Sequence, residues 1–490
     1  MDVTFSEDAS SLDIDVVALP IAAGEALDGP ALALDRTVDG LIGNALRARE
    51  HRGRLHEVLP LPVGGRQLVR RVLLYGLGAP DDLDGQRMRF AHHEMVRAAR
   101  SYGYRRLGVV CSGAVGREHL GDVVEGCVLG TWDRRGWEGG GGLGLQELRL
   151  VGFGDGREDE AALARLLGEA TNRARDWQQA PGNAFGPDEL CQVGADIARR
   201  HGLELEVLGE GELEAEGCRL LLAVGRGSDR PTRLLRLHYH GAPGRSRTLA
   251  LLGKGITFDS GGLSLKSTAG METMRGDMAG AAAVLAAIDV IAERRMPVEV
   301  MAVVPAAENL TGASAQRVGD VWRSASGKTV EIVDTDCEGR LALADAITVA
   351  IRRGATHLVD LATLTGTAAR ALGHAATPAL SSDPALWQLV QGAAQAAGER
   401  IWPLPVYPEY RTLLRSPSAD LRNSGYGEAS TIIAGMFLQE FTEGRPWVHL
   451  DIAASSWNDN SQLGSIPRGP LGSGTRTCVR LAELFAAEGR

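Results

Sequence analysis

Lysine is almost absent from this sequence. The 490 residues include 52 lysines and arginines together, yet only Lys254, Lys266 and Lys328 are lysines. Arginine therefore carries nearly every positive charge, and the first two lysines lie in one short segment. An arginine stays protonated in a protein, whereas a buried lysine can lose its proton and then bind a metal ion. We therefore expect Lys254 to be a neutral amine at a chemically active site.

Other deficits exclude whole classes of protein. None of the six cysteines forms a Cys-x-x-Cys pair, which argues against a disulfide scaffold or a zinc–thiolate site and favours a reducing compartment. No apolar run approaches the ~20 residues that span a bilayer, and the acidic N-terminus lacks a signal core. The net charge of -10 lacks the basic surplus of nucleic-acid binders. We expect a cytoplasmic protein without a membrane or nucleic-acid partner.

Histidine also lacks a recognisable ligand pattern. The sequence has no His-Glu-x-x-His motif, and its 11 histidines show no ligand spacing. This argues against a metalloprotease of the single-zinc type. We expect His449, inside a predicted strand, to be an ordinary core histidine.

Alternating apolar runs predict an α/β fold with two domains. At 490 residues the chain is longer than one core usually supports. We expect a smaller N-terminal α/β domain (1–157), a linker helix (158–180) and a larger C-terminal α/β sandwich with a twisted central mixed sheet (181–490). Strands of the larger domain are predicted at 220–224, 234–240, 248–254, 298–304, 329–333, 357–361 and 447–452.

Polar residues follow three of these predicted strands. Lys254 and Asp259 follow one strand, Asp336 and Glu338 follow a second, and residues 363–366 follow a third. In open α/β sheets, ligands bind outside the carboxyl ends of the strands. We therefore expect these residues to line one cleft.

Four acidic residues near this edge predict a site for two metal ions. Asp336 and Glu338 are two residues apart, so both side chains can face the same side of an extended segment. Asp259 and Asp277 would complete a cage of four carboxylates, whose mutual repulsion two divalent ions would offset. Such ion pairs activate water in many hydrolases.

Each carboxylate also has a simpler structural explanation. Asp277 could be a helix N-cap, Glu338 could complement the dipole at the start of a helix, and Asp259 could belong only to a turn. Their joint occurrence with both rare lysines favours the metal site.

Three motifs resemble the leucyl (cytosol) aminopeptidase family of dinuclear metallopeptidases. Residues 334–341 read Asp-Thr-Asp-Cys-Glu-Gly-Arg-Leu, where the family has Asn-Thr-Asp-Ala-Glu-Gly-Arg-Leu. A Gly-Lys-Gly…Asp-Ser-Gly-Gly…Lys block from residue 253 and a Met-x-x-Asp-Met block from residue 274 follow the family's order and spacing. The resemblance covers roughly residues 170–490 and is weak over the first 155.

The resemblance implies a metal-dependent aminopeptidase that removes the N-terminal residue of peptides through a water activated by two metal ions. The ions would be Zn²⁺ or Mn²⁺, with Mg²⁺ or Co²⁺ as alternatives, and a bicarbonate ion would act as general base. Lys254, Asp259, Asp277 and Glu338 would hold one ion. Asp259, Asp336 and Glu338 would hold the other.

The remaining roles are also implied by the resemblance. Lys266 would polarise the scissile carbonyl, and Arg340 would hold the bicarbonate. The partners would be peptides with a free N-terminus and further copies of the chain in a homohexamer. The substrate-binding residues would be Met274, Thr363, Leu364, Gly366 and Ala453.

Two residues depart from the strongest motif of the family. Asp334 replaces Asn, and the extra carboxylate would raise ion affinity or alter a hydrogen bond behind a ligand. Cys337 replaces Ala, either as a small side chain of similar size or as an oxidisable thiol beside the metals. In addition, Ser455 and Ser456 stand where apolar side chains would border the pocket, so a preference for leucine does not follow.

Two other functions stay open at this point. One is a non-catalytic or regulatory hexamer of the same fold, with a structural or DNA-binding role. The presence of all ligand positions and the acidic balance argue against it. The other makes the N-terminal α/β domain a small-ligand module, which the strand–helix alternation permits but no motif requires.

Overall fold

The chain forms two compact units in a computed structural model. Residues 1–172 form most of the first unit, and residues 173–459 with 468–488 form the second. The predicted two-domain α/β fold is therefore confirmed, while the exact limits at 157 and 180 stay a prediction. The structure describes residues 1–7, 13–64, 70–113, 115–134, 144–244, 246–425, 427–459 and 467–488.

The first unit is built on a six-stranded sheet within the described residues. Its elements are β1 (Asp2–Ser6), β2 (Val16–Ala22), α1 (Gly29–Thr37), α2 (Leu41–Arg47), β3 (Val58–Pro62), β4 (Arg71–Gly78), α3 (Gly85–Ser101), β5 (Arg106–Val110), α4 (Leu120–Leu129) and β6 (Glu147–Val151), followed by α5 (Glu158–Gln179). The strand order is β1-β6-β5-β2-β4-β3, and only the β3–β4 pair is antiparallel. The predicted, mostly parallel unit is confirmed.

The second unit alternates strands and helices over most of its length. Its elements are α6 (Pro187–His201), β7 (Glu204–Leu208), α7 (Glu210–Glu216), α8 (Arg219–Gly225), β8 (Arg233–His240), β9 (Thr248–Gly253), β10 (Gly255–Asp259), α9 (Thr268–Met271), α10 (Ala279–Glu293), β11 (Glu299–Asn309), β12 (Val321–Arg323), β13 (Thr329–Glu331), α11 (Glu338–Arg352), β14 (His357–Ala362), α12 (Ala368–Leu372), β15 (Thr377–Ser381), α13 (Pro384–Ala397), β16 (Ile401–Pro403), β17 (Leu421–Arg422), α14 (Ser430–Gln439), β18 (Trp447–Asp451), β19 (Trp457–Asn458), β20 (Gly469–Pro470) and α15 (Thr475–Glu488).

The main sheet of this unit is mixed, as predicted. The order is β16-β15-β18-β14-β9-β11-β8-β7, and β10 pairs with β11 beyond the end of β9. Strands β18, β14, β9 and β11 are parallel. Strand β15 runs antiparallel to β18 but parallel to β16, and β8 runs antiparallel to both of its neighbours. The carboxyl ends of the parallel strands therefore meet at one edge.

Helices cover both faces of this sheet. On β14, Leu358 and Ala362 belong to an apolar cluster shared with α8, α11 and α14. Leu361 points the other way, towards Ala283 of α10, because side chains alternate along a strand. Helix α11 is buried from Glu338 to Ile351, as expected of a helix with apolar residues on all sides.

Two details of the predicted secondary structure are wrong. Residues 220–224 form part of helix α8 rather than a strand. A short apolar run does not by itself distinguish a strand from a buried helix, and Leu220, Leu221 and Val224 are buried in the cluster around α11. The second detail is strand β10, which was not predicted: it continues the sheet beside β11 and ends at Asp259.

The expectation of free thiols is confirmed, since all six cysteines are unpaired. No helix within the described residues combines the length and apolar composition that a membrane span requires.

Asp345 on α11 provides a stability prediction, because its carboxylate is buried without a cationic partner at hydrogen-bond distance. Its two oxygens accept hydrogen bonds from the backbone N–H groups of Ala325 at 2.8 Å and Leu221 at 3.0 Å. Burial raises the pKa of Asp345 from 3.8 to about 7. The folded state thus keeps a proton that the unfolded chain has released, so stability falls as pH rises from about 4 to about 7.

We expect Asp345→Asn to flatten this decline, because an amide does not titrate. The variant should also be about 1–3 kcal/mol less stable near pH 4, because an NH₂ group cannot accept one of the two backbone hydrogen bonds. Urea unfolding of both proteins across this pH range measures the two effects. An equal slope in both proteins would contradict the prediction.

Candidate metal centre

A cavity of about 280 Å³ brings together every predicted site residue except Arg340. It lies where β9, β10 and β14 end, as predicted for two of the three strands, whereas the strand before Asp336, β13, belongs to a separate three-stranded sheet. The predicted residues that line it are Lys254, Asp259, Lys266, Met274, Asp277, Asp336, Glu338, Thr363, Leu364, Gly366 and Ala453.

Lys254 lies at the back of this cavity, in the one-residue link between β9 and β10. Its backbone is fixed by hydrogen bonds to Leu361 of β14 and Ala281 of α10. Its Nζ lies 2.9 Å from Asp277 Oδ1 and 2.7 Å from Glu338 Oε1. Because Lys254, Asp277 and Glu338 are all buried, the surrounding protein fixes the positions of the amine and the two carboxylates relative to one another.

Lys266 and two further carboxylates form the more open part of the site. The Lys266 Nζ lies 2.8 Å from Asp259 Oδ2 and also contacts Asp336 Oδ1. Asp259, Asp336 and Glu338 each offer an oxygen within 4.8 Å of the other two. Three of the four predicted carboxylates therefore form a contiguous group, and the fourth, Asp277, contacts the same Lys254 Nζ as Glu338.

The simpler explanations for the acidic residues hold only in part. Met278, not Asp277, occupies the N-cap of α10, so Asp277 has no capping role there. Glu338 does stand in the first turn of α11. Asp259 does accept the Gly261 N–H at 2.8 Å, as in a turn, but its other oxygen faces Lys266.

The pKa values reflect this concentration of charge. Burial raises the pKa of Asp336 to about 7, with Asp259 adding to the effect and Lys266 opposing it. Burial likewise raises the pKa of Asp277. For Lys254, burial favours the neutral amine, but the Asp277, Glu338 and Asp259 carboxylates outweigh it and raise its pKa. The protein's own charges thus keep Lys254 protonated. The expected neutral amine therefore requires bound cations, which would offset the charge of the carboxylates in place of the ammonium group.

The donor set fits hard divalent cations. Glu338 is 1% exposed, yet its Oε2 has no hydrogen-bond partner, and an unpartnered buried carboxylate oxygen is costly unless a cation pairs with it. Carboxylate oxygens are ligands that Mn²⁺, Mg²⁺ and Zn²⁺ all accept. Four carboxylates against two ammonium groups leave an excess of negative charge that a cation would offset.

Asn309 and Thr335 hold these ligands in place and were not predicted from the sequence. The Asn309 side-chain amide donates to Asp259 Oδ1 at 2.8 Å and to the Thr335 carbonyl at 3.0 Å. The Thr335 hydroxyl donates to the Gly261 carbonyl at 2.7 Å. These bonds tie the ligand-bearing segments together. The position of Asn309, a polar residue at the carboxyl end of a buried strand, was a usable signal.

The two departures from the motif have distinct structural consequences. Asp334 Oδ1 accepts the backbone N–H of Asp336 at 2.9 Å, a contact that an Asn side-chain oxygen can also make. The Cys337 thiol lies 3.7 Å from Asp334 Oδ2, and burial raises its pKa. Asp334 therefore orients the segment that carries Asp336.

Arg340 stands apart from the other predicted residues. It is 4% exposed and does not line the cavity, and it donates to the Asn423 carbonyl at 2.7 Å. Asn423 in turn binds the backbone around Asp334, donating to its carbonyl at 2.6 Å. In this structure Arg340 thus supports the loop that carries the ligands.

Asp451 fixes two of the segments that line the cavity. Its Oδ1 accepts the Leu364 N–H at 3.2 Å and the Ala453 N–H at 3.2 Å. The Thr363 hydroxyl donates to Asp277 Oδ1 at 2.7 Å. Ser456, expected to border the pocket, lines the cavity, whereas Ser455 does not. Residues that line it without having been predicted are Gln178, Thr273, Gly276 and Trp457.

Comparison with known proteins agrees with this geometry. Residues 172–479 match the cytosol aminopeptidase family, catalytic domain, and residues 18–135 match the cytosol aminopeptidase family, N-terminal domain. The chain is 37% identical to a probable cytosol aminopeptidase of Alkaliphilus oremlandii, covering 96% of both chains. It is 40% identical to one of Solibacter usitatus, covering 84% of this chain and 86% of the relative.

A solved structure shows the same fold. The bottromycin maturation enzyme BotP in complex with Mn superposes with a TM-score of 0.84 at 34% identity, covering 96% of this chain and 100% of that one. Motifs, fold and cavity thus agree over nearly the whole length. The chain belongs to the cytosol aminopeptidase family, and it is a hydrolase that acts as an aminopeptidase.

Proposed function

We propose that this aminopeptidase depends on two divalent metal ions held in the cavity. The observation that carries the proposal is the group formed by the buried Asp259 and Glu338 and the half-buried Asp336, whose oxygens lie within 4.8 Å of one another. One ion would be held by Lys254, Asp259, Asp277 and Glu338, and the other by Asp259, Asp336 and Glu338. The BotP structure, described as a complex with Mn, supports Mn²⁺ as one candidate; Zn²⁺, Mg²⁺ and Co²⁺ are the others.

The chain's own residues would position the reacting groups. Bound ions would supply an acidified water and a Lewis acid for the scissile carbonyl. Lys266 carries its charge beside Asp259 and Asp336 and would face the oxyanion that develops on that carbonyl. The Leu364 main chain, fixed by Asp451, would bind the substrate backbone. Met274, Thr363, Gly366 and Ala453 would surround the first side chain.

The free α-amine of the substrate would complete the site. The carboxylates near Lys254 are buried and favour a positively charged or metal-binding amine. A peptide with a blocked N-terminus lacks this group, so cleavage would be confined to the first residue.

Three further features belong to the same proposal. A bicarbonate ion bound through Arg340 would act as general base, which requires the guanidinium to face the cavity rather than only the Asn423 carbonyl. The enzyme would assemble as a homohexamer. It would act in the cytoplasm, as the names of its relatives and its unpaired cysteines suggest.

Metal removal tests this proposal directly. After dialysis against a chelator, release of the first residue from a short peptide should fall by at least about 10³-fold, since metal activation is worth several kcal/mol. Added Mn²⁺ or Zn²⁺ should restore it. The N-acetylated form of the same peptide serves as the control and should stay intact. Full activity of the chelated, metal-free protein would overturn the proposal.

A further inference from the structure

A second group of possible ligands lies at the opposite edge of the main sheet. The cavity is at the carboxyl end of β11, beside Asn309, whereas Glu299 begins this strand. A strand rises about 3.3 Å per residue, so the two ends are roughly 30 Å apart. Because β8 runs antiparallel to β11, its last residues lie beside Glu299. Anything bound there is separate from the peptidase site.

Strand register places four of these side chains on one face. Glu204 of β7 pairs with His238 of β8, and His240 of β8 pairs with Glu299 of β11. Since alternate residues of a strand point to the same side, His238 and His240 are neighbours on that face. No ligand spacing was expected among the histidines. A His-x-His pair on a strand, such as His238 and His240, is nevertheless such a spacing.

The side chains converge within ligand distance of one another. His240 Nε2 lies 3.1 Å from Glu204 Oε2, and His240 Nδ1 lies 3.0 Å from Glu299 Oε2. His238 Nε2 lies 3.4 Å from the same Glu299 oxygen. The two imidazole centroids are 4.0 Å apart. Glu204, His238 and His240 each have a donor atom within 4.8 Å of the other two.

One donor in this group has no hydrogen-bond partner. His238 is buried, and its Nε2, although 3.4 Å from Glu299 Oε2, has no partner in hydrogen-bond geometry among the described residues. Glu204 and His240 are about half exposed, which leaves the group open to solvent. A buried ring nitrogen beside an open mixed set of imidazole and carboxylate donors is the arrangement that a bound cation would satisfy.

We propose that Glu204, His238, His240 and Glu299 bind one divalent transition-metal ion of the imidazole-preferring class, with Zn²⁺ as the reference case. Two imidazoles and carboxylates suit Zn²⁺, Co²⁺, Ni²⁺ or Cu²⁺, whereas Mg²⁺ and Ca²⁺ prefer sites made of oxygen alone. Each ring nitrogen of His240 contacts one glutamate, and the ion replaces the proton on one of these nitrogens. It links three adjacent strands, β7, β8 and β11, at the end of the sheet.

Arg236 competes with a metal ion for two of these side chains, Glu204 and His238. Its guanidinium contacts Glu204 Oε1 and lies 3.4 Å from His238 Nδ1. Metal binding through Nε2 leaves the proton on Nδ1, so the contact with Arg236 must open. Arg236 also binds Glu206 at 2.8 Å and can keep that partner. Arg236→Gln should therefore bind the ion more tightly than the wild type.

Metal stoichiometry tests the proposal on the full-length enzyme. Protein equilibrated with Zn²⁺ and passed through a desalting column is assayed by mass spectrometry for bound zinc. We expect the wild type to retain one ion per chain more than His238→Gln/His240→Gln. The control His119→Gln, a histidine of the first unit, should retain the wild-type number. Equal zinc content in wild type and double variant would overturn the proposal.

Two further measurements keep the result independent of folding and of peptidase activity. Glu204→Gln changes one half-exposed ligand and should weaken zinc binding by at least about 10-fold while leaving the circular dichroism spectrum unchanged. Micromolar Zn²⁺ should raise the Tm of Glu338→Gln, because an ion that binds only the folded chain stabilises it. The same Zn²⁺ should not raise the Tm of Glu338→Gln/His238→Gln/His240→Gln. An equal rise in both proteins would contradict the proposal.

Discussion

Glu338→Gln should lower kcat/KM by about 10³-fold or more and should lower the number of divalent ions retained per chain. Glu338 is the acidic residue that both proposed ion positions share with Asp259, and its Oε2 has no hydrogen-bond partner among the described residues. An amide keeps the size of the side chain but removes the charge that binds a cation. The loss corresponds to about 4 kcal/mol of transition-state stabilisation.

Metal analysis and steady-state kinetics on the same preparation check this prediction. Glu331→Gln is a matched control, because Glu331 is a half-buried glutamate at the end of β13 that does not line the cavity. It should keep the wild-type metal content and kcat/KM. If Glu338→Gln kept both as well, Glu338 would not be a metal ligand.

The general plan of the fold was predictable because it depends on patterns that the chain repeats. Apolar strands alternate with helical segments, and this alternation indicates a sheet covered by helices. The strand predicted at 220–224, which is part of helix α8, shows where such patterns are ambiguous. Residues 220–224 are all apolar and mostly buried where α8 packs against α11. Only the tertiary structure decides that such a run is helical.

The location of the cavity was predictable for a different reason. Parallel strands share an edge, so Asp259 at the end of β10 and Thr363 after β14 meet there although they are about 100 residues apart in sequence. Glu338 reaches this edge from the start of α11, because the strand before it, β13, belongs to a separate three-stranded sheet. The charge state of Lys254 was not predictable in this way. It depends on how many carboxylates surround one amine, and the structure places Asp277, Glu338 and Asp259 close enough to keep it protonated.

The supporting residues could not be identified from motifs, because they act only through hydrogen bonds to the ligand-bearing segments. Asn309 and Thr335 carry no chemistry of their own, but they join the segments that bear Asp259 and Asp336. The same is true of Asn423, which connects Arg340 to the loop at Asp334. A motif identifies the residues that take part in the chemistry. The tertiary structure determines which neighbouring residues hold them in place.

Lys266→Ala should lower kcat by about 10²–10³-fold while the metal content stays at the wild-type level. Lys266 is the more exposed of the two site lysines, with 18% of its side chain accessible against 3% for Lys254. Burial alone would lower its pKa, but Asp259, Glu338 and Asp336 outweigh burial and raise it, so the side chain stays cationic. Removing one donor aimed at a developing oxyanion typically costs about 3–4 kcal/mol.

The division of the effect between kcat and KM distinguishes this role from a structural one. A cation that acts mainly on the transition state changes kcat and leaves KM nearly constant. Lys266→Arg should recover part of kcat, because it restores the charge in a different geometry. Lys328→Ala is the matched control, since Lys328 pairs with Glu440 away from the cavity and its loss should leave kcat unchanged. If Lys266→Ala instead lost bound metal, Lys266 would act by holding Asp259 and Asp336 in position rather than by stabilising the oxyanion.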